Sequence, residues 1–109
     1  MQVADHEVRG VEVDAETRCA HYHTERDVVA IEFPCCGTFY PCFACHDAVA
    51  DHPATRWPAA DFDERAVLCG ACGTELTISV YLDCESTCPA CGTAFNPGCA
   101  AHVDRYFEV

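Results

Sequence analysis

Cysteine and histidine recur along this chain at the spacings that proteins use to bind zinc. They fall in six short groups: Cys19-x-His21, Cys35-Cys36, Cys42-x2-Cys45-His46, His52, Cys69-x2-Cys72 and Cys88-x2-Cys91. A structural zinc takes four ligands in a tetrahedron. Twelve candidate ligands therefore predict three closed zinc sites per chain, with no open position of the kind that a catalytic zinc keeps.

The most specific pattern is a pair of knuckles, Cys69-x2-Cys72 and Cys88-x2-Cys91, separated by fifteen residues. This spacing matches a zinc ribbon, and a glycine follows each knuckle, where it can relieve strain in the turn. The alternative is a redox Cys-x2-Cys motif of thioredoxin type. That motif belongs beside a βαβ unit, and the sequence shows no pattern for one. We therefore predict one zinc on these four cysteines.

The other eight candidates are predicted to form two sites that interleave in sequence. Cys45 and His46 are neighbours that cannot easily reach one ion, so we expect them to serve two ions. The preferred grouping places one zinc on Cys19, His21, Cys42 and Cys45, and a second zinc on Cys35, Cys36, His46 and His52. A division of Cys35 and Cys36 between the two ions stays open as the alternative.

Four further candidates are left over: His23, Cys84, Cys99 and His102. Cys99-x2-His102 has ligand spacing, so a fourth, partly open zinc site is the alternative there. We favour a buried free cysteine and a solvated histidine, because free cysteine is among the most buried residue types.

The chain is strongly acidic, with 18 Asp and Glu residues against 6 Lys and Arg and a net charge of −12. A field of this sign repels phosphate backbones and anionic membranes, so neither nucleic acid nor membrane is an expected partner. Acidity of this degree is typical of adaptation to a salt-rich (halophilic) cytoplasm, where salt screens the repulsion. The sequence also shows no signal peptide and no membrane span. We expect a reduced, cytoplasmic monomer.

The apolar patterning predicts short elements around the metal sites. Val8–Val13, Asp27–Phe33 and Arg65–Leu68 read as strands, and residues 42–51 read as a short helix that ends before Pro53. Thr77–Leu82 is ambiguous between strand and helix, with Thr77 as the helix cap. Trp57 and Phe62 are expected to pack on the core, and Val103–Val109 to form a terminal strand or docked tail.

These elements predict a small, metal-dominated α+β domain with short strands, one or two short helices and zinc knuckles. The predicted organisation is an N-terminal strand or extension (1–16), two interleaved zinc sites (17–52), a connector (53–68), a zinc ribbon (69–98) and a C-terminal tail (99–107). Zinc contributes about 10–16 kcal/mol of apparent binding free energy in zinc-finger peptides, and a whole domain is stable by only about 5–15 kcal/mol. Metal is therefore expected to organise the fold.

The run Cys19-Ala20-His21-Tyr22 resembles the signature of the CHY-type zinc finger family. The resemblance includes the later motifs Cys35-Cys36, Cys42-x2-Cys45-His46-Asp47, Asp51-His52 and the two knuckles, and it covers about residues 17–107. Trp57-Pro58 and Phe95-Asn96-Pro97-Gly98-Cys99-x2-His102 are similar to members in which the finger is the whole protein. The resemblance implies three structural zincs on the twelve residues above.

The family resemblance also bounds the function. Some members are ubiquitin ligases that carry a RING after the finger; these 109 residues contain no RING pattern, so ligase activity is not expected. A fungal member supports disulfide-relay import by withdrawing zinc from its partners. The first hypothesis is a non-enzymatic module that binds an unknown protein partner. The alternative is zinc handling or thiol-redox support.

Overall fold

A computed structural model of the chain describes residues 2–3, 6–21, 25–95 and 106–108. The strands are β1 (Gln2–Val3), β2 (His6–Glu7), β3 (Val29–Phe33), β4 (Thr38–Tyr40), β5 (Val67–Cys69) and β6 (Glu75–Leu76). The helices are α1 (Phe43–Val49), a 3₁₀ turn (Ala59–Asp61) and α2 (Ile78–Asp83). Short strands, two α-helices and Cys/His clusters make this the predicted small, metal-dominated α+β fold.

Strand β3 lies inside the main sheet, between β4 and β5, and four of its five residues are buried. The sheet is antiparallel, with the strand order β4-β3-β5-β6. Ile31 of β3 pairs with Tyr40 of β4 on one side and with Val67 of β5 on the other. At the far end of β3, Val29 pairs with Cys69. The sheet therefore fixes where the first knuckle cysteine stands.

Both α-helices begin at residues whose side chains cap them. Cys42 precedes α1, and its Sγ accepts a bond of 3.3 Å from the Cys45 N–H. Thr77 precedes α2, and its Oγ1 accepts a bond of 3.2 Å from the Val80 N–H. The structure resolves the ambiguity over Thr77–Leu82 as a helix, with the predicted cap. The predicted helix within 42–51 is confirmed, and it ends at Val49, before Pro53.

The connector is ordered, and the end of the chain packs against it. Trp57 Nε1 donates to the carbonyl of Glu32 at 2.6 Å, and the Trp57 N–H donates to the carbonyl of Tyr106 at 2.8 Å. Trp57 also forms a β-bridge with Phe107, which is fully buried. Trp57 and Phe62 both pack against the main core, as predicted. Residues 96–105 and 109 of the predicted ribbon end and tail lie outside the described part.

The predicted strand over Val8–Val13 is wrong. A short hairpin of β1 and β2 precedes it, and only Val8 makes a bridge, to Phe39. Beyond Val8 the chain leaves the sheet and turns at Glu12, whose φ is 54°. The alternating pattern failed as a guide because Gly10 and Val11 pack against Cys45 instead of pairing with a strand. We call residues 8–13 the N-terminal strap.

The buried residues form two apolar clusters, and cysteines belong to the larger one. Large apolar side chains that are fully buried include Phe33, Tyr40, Ile78, Phe95 and Phe107. The same cluster of buried residues contains Cys19, Cys42, Cys45, Cys69 and Cys88. Apolar packing is therefore more extensive than the sequence prediction allowed, and the cysteines link the metal clusters to it directly. None of the helices in the described residues is long and apolar enough to cross a membrane.

Candidate metal centres

Three groups of four Cys and His side chains converge in the described structure. Within each group the candidate ligand atoms all lie within 4.8 Å of one another. Cluster 1 is Cys19, His21, Cys42 and Cys45; cluster 2 is Cys35, Cys36, His46 and His52; cluster 3 is Cys69, Cys72, Cys88 and Cys91. The structure brings together the residues of each predicted site and keeps Cys35 and Cys36 in one cluster.

Cluster 1 has the dimensions of a zinc tetrahedron. The Sγ atoms of Cys19 and Cys42 are 3.7 Å apart, and His21 Nδ1 is 3.5 Å from the Sγ of both Cys42 and Cys45. Zn–S bonds of about 2.3 Å place tetrahedral sulfur ligands about 3.8 Å apart. A disulfide would bring two sulfurs to about 2.0 Å. The spacing therefore fits a shared ion and excludes a disulfide.

The N-terminal strap covers cluster 1. The Val11 N–H donates to Cys45 Sγ at 3.5 Å, and the Val11 carbonyl accepts a bond of 2.9 Å from the Ala20 N–H, next to Cys19. A Cβ atom added to Gly10 would lie 2.8 Å from Cys45 Sγ, so the strap needs glycine there. Sequence reasoning missed this support, because the strap contains no cysteine or histidine.

Cluster 2 joins the β3–β4 turn to helix α1. Cys35 and Cys36 follow β3, and their Sγ atoms lie 3.3 and 4.0 Å from His46 Nε2. The buried His46 ring stacks on Phe33 with 4.4 Å between centroids. Burial lowers the pKa of His46, so the imidazole stays neutral and able to bind metal.

His52 supplies the fourth side chain of cluster 2 from beyond the end of α1. Its Nδ1 lies 3.0 Å from Asp51 Oδ1, and its Nε2 is buried with no hydrogen-bond partner among the described residues. A buried ring nitrogen on a side chain that belongs to the cluster is what a metal ligand requires. The Asp51 carboxylate fixes the tautomer that leaves Nε2 free, as carboxylates that accept a hydrogen bond from a ligand imidazole do at zinc sites.

Cluster 3 is built from two knuckles with the same backbone hydrogen bonds. The Cys69 N–H donates to the Thr74 carbonyl at 3.0 Å, and the Gly73 N–H donates to the Cys69 carbonyl at 2.8 Å. Cys88 makes the two equivalent bonds at 2.9 Å each. Gly73 and Gly92 have φ of 78° and 77°, a left-handed conformation that favours glycine. The repeat in sequence is therefore a repeat in structure.

The sulfurs of cluster 3 are also spaced for one ion. Sγ–Sγ distances are 3.9 Å for Cys69 and Cys91 and 3.8 Å for Cys72 and Cys88. Thr74 Oγ1 lies 3.3 Å from Cys72 Sγ, and this hydroxyl contact lowers the pKa of Cys72 to about 6. Burial raises the pKa of Cys69, and a bound cation opposes that effect.

The leftover candidates do not add a cluster within the described residues. Cys84 is half-buried, and its thiol donates to the Tyr81 carbonyl at 3.0 Å. It belongs to none of the three clusters. His23, Cys99 and His102 lie outside the described residues, so the favoured free cysteine and solvated histidine stay a prediction and the fourth site stays the alternative.

Comparisons with known proteins agree with this geometry. Residues 19–106 match the CHY zinc finger family. The chain is 39% identical to Helper of Tim protein 13 of Saccharomyces cerevisiae over 104 residues, covering 93% of this chain and 90% of the relative. It is 40% identical to Helper of Tim protein 13 of Kluyveromyces lactis, covering 93% and 88%, and 47% identical to an uncharacterized protein of Schizosaccharomyces pombe, again covering 93% and 88%.

The family match and the three four-residue clusters together show a zinc-binding protein with three zinc sites. The resemblance predicted from the sequence motifs is confirmed. The chain belongs to the CHY zinc finger family.

Proposed function

We propose that this chain is a non-enzymatic, zinc-stabilised module that binds another protein, and that its ligands are the twelve residues of clusters 1, 2 and 3. The observation that carries this proposal is the convergence of three complete sets of four donors on one apolar core. A set of four sulfur and nitrogen donors closes a tetrahedral zinc site. A closed site stabilises the fold and has no open position for a substrate. Function then comes from contact between the folded surface and a partner.

A protein partner is favoured over other kinds. The net charge of −12 opposes binding to nucleic acid and to anionic lipid surfaces. The name shared by two relatives, Helper of Tim protein 13, describes assistance to another protein. We carry over that general role and leave the partner's identity open. The cytoplasmic location, monomeric state and adaptation to high salt remain proposals drawn from composition.

Metal analysis of protein purified without added zinc tests the ligand set. We expect three zinc per chain, whereas two or fewer would contradict it and four would favour a further site at Cys99 and His102. Capture of a partner by the zinc-loaded protein, compared with capture by the demetallated protein, tests the binding role. Equal capture by both forms would contradict a zinc-stabilised interaction surface.

Zinc handling or thiol-redox support is the second candidate. Ligand thiols reach the surface in clusters 2 and 3, because Cys36, Cys72 and Cys91 are exposed. Exposed ligands allow a partner to reach the metal, which a purely structural site does not require. Titration with a chelator separates the two candidates. Loss of all three zincs together with the fold favours the structural module, and early loss of one zinc from a folded chain favours zinc handling.

A further inference from the structure

The three clusters differ in how far their ligands are buried. Three of the four ligands of cluster 1 are buried, and His21 alone is exposed. In cluster 2 only His46 is buried, with Cys35 and His52 half-buried and Cys36 exposed. Cluster 3 alternates two buried and two exposed cysteines. Cluster 2 therefore has the fewest buried ligands of the three clusters.

The clusters also differ in what holds their outer ligands. Cluster 1 is covered by the N-terminal strap, which donates to Cys45. Each knuckle of cluster 3 is closed by two backbone hydrogen bonds. His52 of cluster 2 lies beyond the C-cap of α1, in a segment without regular structure. The Nδ1 atom of His52 is held by the carboxylate of Asp51, and the Asp51 side chain is fully exposed.

Charge points to the same cluster. A zinc ion with two thiolates and two neutral imidazoles carries no net charge. The same ion with three or four thiolates, as in clusters 1 and 3, carries a negative charge that repels an approaching thiolate. Zinc transfer between proteins begins when a thiolate of one protein approaches the ion held by the other. Charge repulsion opposes that approach least at cluster 2.

We propose that cluster 2 is the exchange site of this protein, and that His52 is the ligand displaced when a thiol-bearing partner takes or returns zinc. His52 gives up its bond to the ion, a thiolate of the partner takes that position, and the thiol proton passes to water. No electrons are transferred. This inference rests on the zinc-handling role proposed above, and it assigns that role to one of the three sites.

The first test uses the chelator 4-(2-pyridylazo)resorcinol on the fully loaded protein. One zinc equivalent is expected to leave at least about tenfold faster than the other two, while the near-ultraviolet circular dichroism of the folded chain persists. N-ethylmaleimide added after that first equivalent should label Cys35 and Cys36. Labelling confined to Cys72 and Cys91, or simultaneous loss of all zinc, would overturn the proposal.

The second test changes the support of His52 and not the ligand. Asp51→Asn should lower the affinity for the fast-leaving zinc by about 10- to 100-fold, the usual effect of losing a carboxylate that orients a ligand histidine. Asp63→Asn removes the same charge from an exposed residue after the 3₁₀ turn and should leave zinc release unchanged. Equal effects of the two variants would contradict a role for the Asp51–His52 pair.

Failure of the exchange proposal is distinguishable from failure of the proposed function. The zinc content of the untreated protein tests the ligand set before any chelator is added. If the protein holds three zincs and all three leave together, the structural role stands and the exchange proposal is contradicted. Labelling of the wild-type chain identifies which cluster releases its zinc first, even if Asp51→Asn folds poorly.

Discussion

Clusters 1 and 2 are built differently from cluster 3. Cluster 3 is local, because its two knuckles repeat one sequence motif and one set of backbone hydrogen bonds. Clusters 1 and 2 are interleaved, because adjacent residues of α1, Cys45 and His46, serve different clusters. The comparison shows two ways to close a tetrahedron. One repeats a turn, and the other ties a strand turn, a helix and a distant N-terminal segment together.

This difference has a consequence for cooperativity. A knuckle pair can lose its metal without direct effect on the ligands of another site. In the interleaved pair, a shift of α1 moves ligands of both clusters at once, because packed elements move as units. Displacement of His52 is different, because His52 lies beyond the end of α1 and can leave the ion without moving the helix. We therefore expect a substitution in α1 to lower the zinc content of the protein more than a matched substitution in cluster 3.

The largest expected effect is that of Cys45→Ser. Cys45 is fully buried in cluster 1, and its neighbour His46 belongs to cluster 2. We expect zinc content to fall from three to about one per chain, each lost site forfeiting on the order of 10 kcal/mol of apparent binding free energy. Native mass spectrometry gives the stoichiometry. Retention of two zincs would show that the interleaved sites are independent.

Cys72→Ser tests the opposite side of the comparison. We expect loss of the cluster 3 zinc alone and local unfolding of the ribbon, with two zincs kept by the interleaved pair. The matched control is Cys84→Ser, because Cys84 lies outside all three clusters. The same mass measurement applies, with hydrogen exchange to locate the unfolding. A control that lost equal zinc would show that Cys84 is a ligand.

Gly70→Ala probes the contact that joins the two regions. A Cβ atom on Gly70 would collide with the Glu16 carbonyl and lie 2.9 Å from Thr17 Cγ2. We expect a loss of about 3 kcal/mol in the free energy of unfolding of the zinc-loaded protein, as for overpacking of a tight site. Gly37→Ala is the control, since its Cβ would meet open space. It should cost only about 1 kcal/mol, for its left-handed backbone.

The smallest expected effect compares equivalent positions in the two knuckles. Thr74→Val removes the hydroxyl contact that lowers the pKa of Cys72. A higher thiol pKa lets protons compete with metal sooner as the pH falls, so metal release from cluster 3 should shift upward by about 0.5 pH unit.

Thr93→Val is the control, because Thr93 occupies the same position in the second knuckle and acts on Cys91 through its backbone. The cobalt-substituted protein reports release by its absorbance. Equal shifts for both variants would contradict a specific role for the Thr74 hydroxyl.

Motif spacing in the chain was enough to predict cluster 3, helix α1 and the membership of the interleaved pair. Each of these depends on short-range geometry: two cysteines three residues apart share an ion, and neighbours such as Cys45 and His46 cannot. The Asp27–Phe33 pattern likewise placed β3, because a buried central strand reads as an apolar run.

The path of the strap and the burial of each cluster were decided only by tertiary contacts, which local sequence patterns do not encode. The strap leaves its alternating strand pattern because Gly10 and Val11 pack on Cys45, which lies more than thirty residues away along the chain. The depth of each cluster, and so the difference between the covered cluster 1 and the accessible cluster 2, depends on which segments cross over it. Burial is a property of contacts between distant residues, and no spacing rule encodes it.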